Sequence, residues 1–95
     1  MNVISKPNLF EVAGKTRDPE VVEKLARWYE LATKNDFRNF VELKGAFPSV
    51  DLAGDKLVFN LGSHRLICGV SFLRKTLFFK ALLSHAAYDK GGWKS

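Results

Sequence analysis

Ninety-five residues, 46% of them hydrophobic and 13% aromatic, carry too much buriable surface for a disordered chain and too little length for two cores, so one domain over residues 1–95 is expected. A single cysteine, Cys68, excludes an internal disulfide. With neither a leader pattern nor a bilayer-length apolar run, a cytoplasmic chain without a membrane partner is expected. The net charge of +5 is uneven: residues 1–55 hold eight Lys/Arg against nine Asp/Glu, and residues 56–95 hold seven against one. Such a concentrated positive field draws polyanions, although a merely solvated basic face has the same composition.

In chain order, Asn2-Val3-Ile4-Ser5 alternates polar and apolar positions and predicts a short strand. Pro7 suits a first helical turn, so a helix is expected from about Pro7 to Gly14. Asp18-Pro19-Glu20 is a strong helix start: Asp18 can cap free amides, Pro19 needs no donor, and Glu20 favours the positive end. The helix that follows places Val21, Leu25, Trp28, Tyr29 and Ala32 on one stripe facing the core. Its exposed side carries the acid-before-base pairs Glu20 with Lys24 and Glu23 with Arg27. It should stop near Asn35. A shorter helix from Phe40 to Ala46 is closed by Phe47-Pro48, because a residue before proline resists helical geometry. At these spacings Trp28, Tyr29, Phe37 and Phe40 read as packing residues rather than platforms for stacked bases.

After Gly54-Asp55 the period shifts to two. Leu57, Phe59 and Leu61 alternate with Lys56, Val58 and Asn60, and Gly62-Ser63-His64 forms a turn into a strand from Arg65 to Phe72. Arg74-Lys75-Thr76 makes a second tight connection into Leu77 to Leu83. Connections this short require antiparallel neighbours. The order therefore predicts an α+β fold, a mostly antiparallel four-stranded sheet with the N-terminal helices packed on one face.

Alternation puts Leu66, Cys68, Val70 and Phe72 on one side of their strand and Arg65, Ile67, Gly69 and Ser71 on the other. In the last strand Leu77, Phe79, Ala81 and Leu83 are expected to face the core, leaving Lys80 on the uncovered face with Arg65. His85, Tyr88, Asp89 and Lys90 follow. These types suit phosphodiester cleavage in RNA, where one group takes the 2′-hydroxyl proton, another protonates the leaving 5′-oxygen and cations steady the phosphate. No cofactor or metal is expected: His64, Cys68 and His85 are the only soft ligands, and they lack ligand spacing. Ser84-His85 with Asp89 has the composition of a nucleophilic triad but no elbow motif before the serine.

Val3-Ile4-Ser5-Lys6, Trp28-Tyr29, Leu43-Lys44, Ala46-Phe47-Pro48-Ser49, Val58-Phe59-Asn60, Arg65-Leu66, Ser84-His85-Ala86 and Tyr88-Asp89-Lys90 occur in an order that resembles HigB-type toxins of the RelE-like superfamily. That resemblance implies a small RelE-like fold and metal-independent cleavage of messenger RNA on the ribosome. It also implies neutralisation by a HigA-like helix-turn-helix antitoxin, through which operator DNA would be met only indirectly. By the same resemblance Arg65 and Lys80 would stabilise phosphate, and His85 and Tyr88 would share the proton transfers. Lys56, Arg74, Lys75 and Lys90 are the further RNA-binding candidates. Lys80 stands where the pattern often has arginine, and Ala87 where it often has glutamate. A noncatalytic protein that binds RNA or the ribosome, or one that chiefly complexes an antitoxin, is the alternative on the same fold.

Overall fold

The computed structural model describes residues 1–91. Nine elements follow in the order β1 (Asn2–Ile4), α1 (Leu9–Gly14), α2 (Pro19–Lys34), α3 (Phe40–Ala46), β2 (Asp51–Ala53), β3 (Lys56–Leu61), β4 (His64–Ser71), β5 (Thr76–Ser84) and α4 (His85–Asp89). Side-chain caps set the helix starts. Asn8 accepts from the amides of Phe10 and Glu11, so α1 opens at Leu9 and Pro7 lies outside it. Asp18 caps α2 through the Glu20 amide with Pro19 in the first turn, and Asn39 caps α3 through the Glu42 amide. Each cap satisfies a donor that the helix itself leaves unpaired.

On α2 the buried stripe is Val21, Leu25, Trp28 and Ala32. Tyr29 is not part of it; it is 38% exposed and meets Phe10 of α1 edge-on at 5.7 Å. Adjacent helical residues point about 100° apart, and Trp28 takes the inward direction, packing against Phe59 of the sheet at 5.4 Å. Both expected ion pairs form, Lys24 with Glu20 at 3.1 Å and Arg27 with Glu23 at 3.4 Å. At the far end of α2 the Met1 ammonium donates to the carbonyls of Ala32 and Asn35. A positive group there meets the negative end of the helix dipole.

The sheet has five strands in the order β1-β5-β4-β3-β2, one more than expected. β1 joins β5 in parallel; the other pairings are antiparallel. The added strand, β2, pairs with β3 across the two-residue turn Gly54-Asp55, where Gly54 adopts φ +63°. Three residues are too few for alternation to announce a strand. β4 begins at His64 and ends at Ser71, and Thr76 already belongs to β5.

The helical face of the sheet carries the main core, including Leu57, Phe59, Leu66, Cys68 and Leu77. Cys68 is a buried thiol, pushed up to about 12 by burial alone. On the opposite face, cross-strand partners form three rows: Asn60 with Arg65 and Leu83, Val58 with Ile67 and Ala81, and Lys56 with Gly69 and Phe78. Val58 and Ile67 are buried yet lie outside the main core cluster.

The face assignment for β5 changes partway along it. Ile67 pairs with Ala81 but Cys68 pairs with Phe79, so Lys80 is the extra residue of a β-bulge. A bulge inverts the alternation beyond it. Leu77 and Phe79 join the core as expected, but it is Leu82, not Ala81 or Leu83, that joins them.

Candidate active site on the outer sheet face

β4 delivers Arg65 to the outer face beside the β3–β4 turn, and three oxygens collect on a single nitrogen of its guanidinium. Nη1 donates to Asn60 Oδ1 at 3.1 Å, the Gly62 carbonyl at 3.0 Å and the His64 carbonyl at 3.3 Å. Asn60 Oδ1 also accepts from the Gly62 amide, which fixes the carboxamide. The two-residue turn is itself tied to α2: Ser63 donates its hydroxyl proton to Asp18 Oδ2 at 2.7 Å. Its one proton being spent, Ser63 Oγ can only accept from His64 Nδ1 at 2.9 Å, so that nitrogen carries a hydrogen. The Ser63 hydroxyl, then the Glu20 amide, hold the Asp18 carboxyl below its ordinary value.

His85 begins α4 immediately after β5. Ser84 caps that short helix, accepting from the Ala87 amide at 3.3 Å, so its hydroxyl serves the backbone rather than a nucleophilic triad. Arg65 Nη2 lies 3.4 Å from His85 Nδ1. A guanidinium has no acceptor, so the lone pair at that contact belongs to Nδ1 and the proton of the neutral ring lies on Nε2. Asp89 Oδ2 stands 3.3 Å from that Nε2. Arg65, His85 and Asp89 thus form a line in which a cation, an imidazole and a carboxylate hold one another in order. Both His85 and Asp89 are well exposed, at 66% and 61%, leaving room for a large substrate.

Tyr88 is half-buried on the same helix and Lys90 caps its C-terminal end. Lys80, at the bulge, lies over Gly69: a Cβ placed on Gly69 would stand 3.2 Å from Lys80 Cε. Lys56, the cross-strand partner of Gly69, is bonded to Asp55 at 3.3 Å. Lys80 and Lys56 are therefore on the face of Arg65 but four residues along β4, roughly 13 Å at about 3.3 Å per residue. Arg74 and Lys75 occupy the β4–β5 turn, at the opposite end of β5 from His85. The structure gathers Arg65, His85 and Tyr88 at one end of the sheet and spaces the other cations along and beyond it.

Two partnerships in this arrangement go beyond the sequence reading. Asn60, an alternating polar position and part of the Val58-Phe59-Asn60 match, is the direct cross-strand neighbour of Arg65. Asp89 stands in the sequence as a residue type beside His85 and in a triad composition with Ser84, whereas its contact with His85 Nε2 arises because the segment after β5 is helical. Serine followed by residues of good helix propensity, with an acid four after the histidine, is the signal that could have found it.

A cleft of about 440 Å³ opens on the helical side, between α2 and the segment after α3, bordered by Lys24, Arg27, Trp28, Phe47 and Pro48. Neither Arg65 nor His85 lines it. Among the described residues, no three His, Cys, Asp or Glu side chains gather in a group able to hold a metal ion, and no helix is long and apolar enough to cross a membrane.

A mostly antiparallel sheet backed by helices on one face is the fold of a small RelE-like toxin. Residues 22–91 match the family model for the HigB toxin, described as a RelE-like toxic component of a toxin-antitoxin system. The messenger RNA interferase HigB of Escherichia coli is 32% identical over 95 residues, an alignment covering 95% of this chain and 90% of that protein. The chain belongs to the HigB toxin family.

Proposed function

We propose that residues 1–95 form one toxin domain acting as a metal-independent endoribonuclease. It would cut messenger RNA on the translating ribosome and be held in check by a cognate antitoxin. What carries the reading is the Arg65–His85–Asp89 line at the open end of a cationic face. The relative in Escherichia coli that is named a messenger RNA interferase supports the substrate class. In this mechanism Arg65 turns its outer nitrogens to the scissile phosphate while Nη1 stays held by its three oxygens. That movement releases His85 Nδ1, whose lone pair takes the 2′-hydroxyl proton as the oxygen attacks phosphorus. Asp89, facing Nε2, steadies the imidazolium that results. Tyr88 shares the proton transfers with His85, and protonation of the departing 5′-oxygen completes the cut. Lys80, Lys56, Lys90 and the distal Arg74 and Lys75 attract the strand without reading its sequence.

Induction in a sensitive host should arrest growth and produce new 5′ ends within translated messages. His85→Ala combined with Tyr88→Ala should relieve both, since acid-base groups of this kind contribute roughly 10²–10⁴-fold. Transcript-end mapping checks it. Undiminished cutting by the double variant removes these residues from the chemistry, and arrest without new ends favours binding without scission.

A further inference from the structure

Where β1 meets β5, the outer face presents Ile4 beside Phe78 and Phe78 beside Gly69, in register across three strands. Gly69 contributes no side chain, and the space a Cβ there would take lies 3.2 Å from Lys80 Cε and 4.0 Å from Phe78 Cδ2. A cleft of about 410 Å³ opens here, bounded by Ile4, Ser5, Lys6, Phe78 and Lys80, with no acidic residue in its lining. Ile4 is 47% exposed and Phe78 half-buried. An aromatic ring and an aliphatic side chain left partly in water, in a cleft that two lysines also line, are poorly used by the fold itself. They are complementary to a ligand that is flat and apolar at its centre and anionic at its edge. One strand of RNA offers that combination at every residue: a base that stacks and a phosphate that pairs with lysine.

We propose that this cleft is a nucleotide subsite of the RNA path, the base lying against Phe78 and Ile4 and the adjoining phosphate between Lys6 and Lys80. It rests on the ribonuclease reading above. Phe78 pairs with Gly69, four residues along β4 from Arg65, roughly 13 Å at about 3.3 Å per residue. A single extended strand can therefore occupy the subsite and the Arg65–His85 end together. Lys80, two residues after Phe78, shares the outer face with it and with Arg65.

The test is binding of a fully 2′-O-methylated single-stranded octanucleotide, which cannot be cut, followed by fluorescence anisotropy over a salt series. Phe78→Leu keeps the apolar volume and removes the ring. It should weaken binding about five- to tenfold, as expected for loss of one stacked base, with the salt slope unchanged. Lys6 is exposed in the bend that follows β1. Lys6→Gln should lower the slope of log K against log salt by about 0.7, one phosphate contact on a single strand. Parental affinity in Phe78→Leu with a parental slope in Lys6→Gln overturns the subsite, as does a parent that binds no free strand. The ribonuclease reading is scored separately by message cleavage in His85→Ala. Loss of cutting there alongside unaltered binding in the other two variants leaves the enzyme standing and the subsite refuted.

Discussion

Arg65 is anchored through one nitrogen, while Nη2 lies against His85, the nitrogen that the proposed mechanism turns to phosphate. Three oxygens fix Nη1, so in the proposed mechanism the turn that frees His85 pivots on a nitrogen already held. Its partner His85 depends on Asp89 for the position of its proton. Asp89→Asn keeps an acceptor near Nε2 but removes the negative charge that favours the imidazolium. Cleavage should fall about three- to tenfold, a modest effect because the pair is exposed. The pH profile of kcat should move as well, and a profile identical to the parent's would leave Asp89 no role. Cys68 lies outside the site, its raised thiol protonated throughout the physiological range. The sign is that of an acid whose folded value is raised. Its stabilising contribution is complete below the unfolded value of 9.0 and is lost as pH climbs toward about 12. A disulfide reagent at pH 8 should leave native protein unmodified and label it only as it unfolds, which a timed thiol assay measures. Arg65, Lys80, His85, Tyr88 and Asp89 are legible in the sequence as residue types, but the His85–Asp89 contact is not, because it exists only once α4 winds.

Caps and turns explain both what the linear pattern disclosed and what it concealed. α2 and α3 follow the sequence closely because Asp18-Pro19 and Phe47-Pro48 are local signals whose outcome does not await tertiary contacts. The far half of β5 does not. One extra residue at Lys80 turns Leu82 inward, and alternation alone cannot see an insertion that depends on pairing with β4. β2 escaped for a related reason, since a three-residue edge strand is defined by its partner. Asp18 both caps α2 and accepts from Ser63, so Asp18→Ala should lower the melting temperature by several degrees and loosen the β3–β4 turn. Because the Asp18 carboxyl is held below its ordinary 3.8, its stabilising effect is present above that value. It is lost as pH falls through the lower folded value. Thermal melts between pH 2 and 5 should show that acid-side loss in the parent and less of it in Asp18→Ala.

Taken whole, the molecule separates its charges. The helices carry paired acids and bases, as in Lys24 with Glu20, Arg27 with Glu23 and Lys34 with Glu30, whereas the outer sheet face carries Lys56, Arg65 and Lys80. Lys80→Glu should therefore weaken RNA binding strongly in dilute buffer and much less at high salt. Attraction between exposed charges fades once the screening length drops below about 10 Å. Titrations at two ionic strengths check it, and equal loss at both would make Lys80 a structural residue. The hydrogen bond from Ser63 to Asp18 joins these two sides, linking the first turn of α2 to the hairpin whose carbonyls hold Arg65. If the protein cuts RNA as proposed, an inhibitor need not stand in the way of the strand to silence it. A hand laid on the back of the molecule, drawing that first turn aside, would take the guanidinium off target, and message would still bind but go uncut.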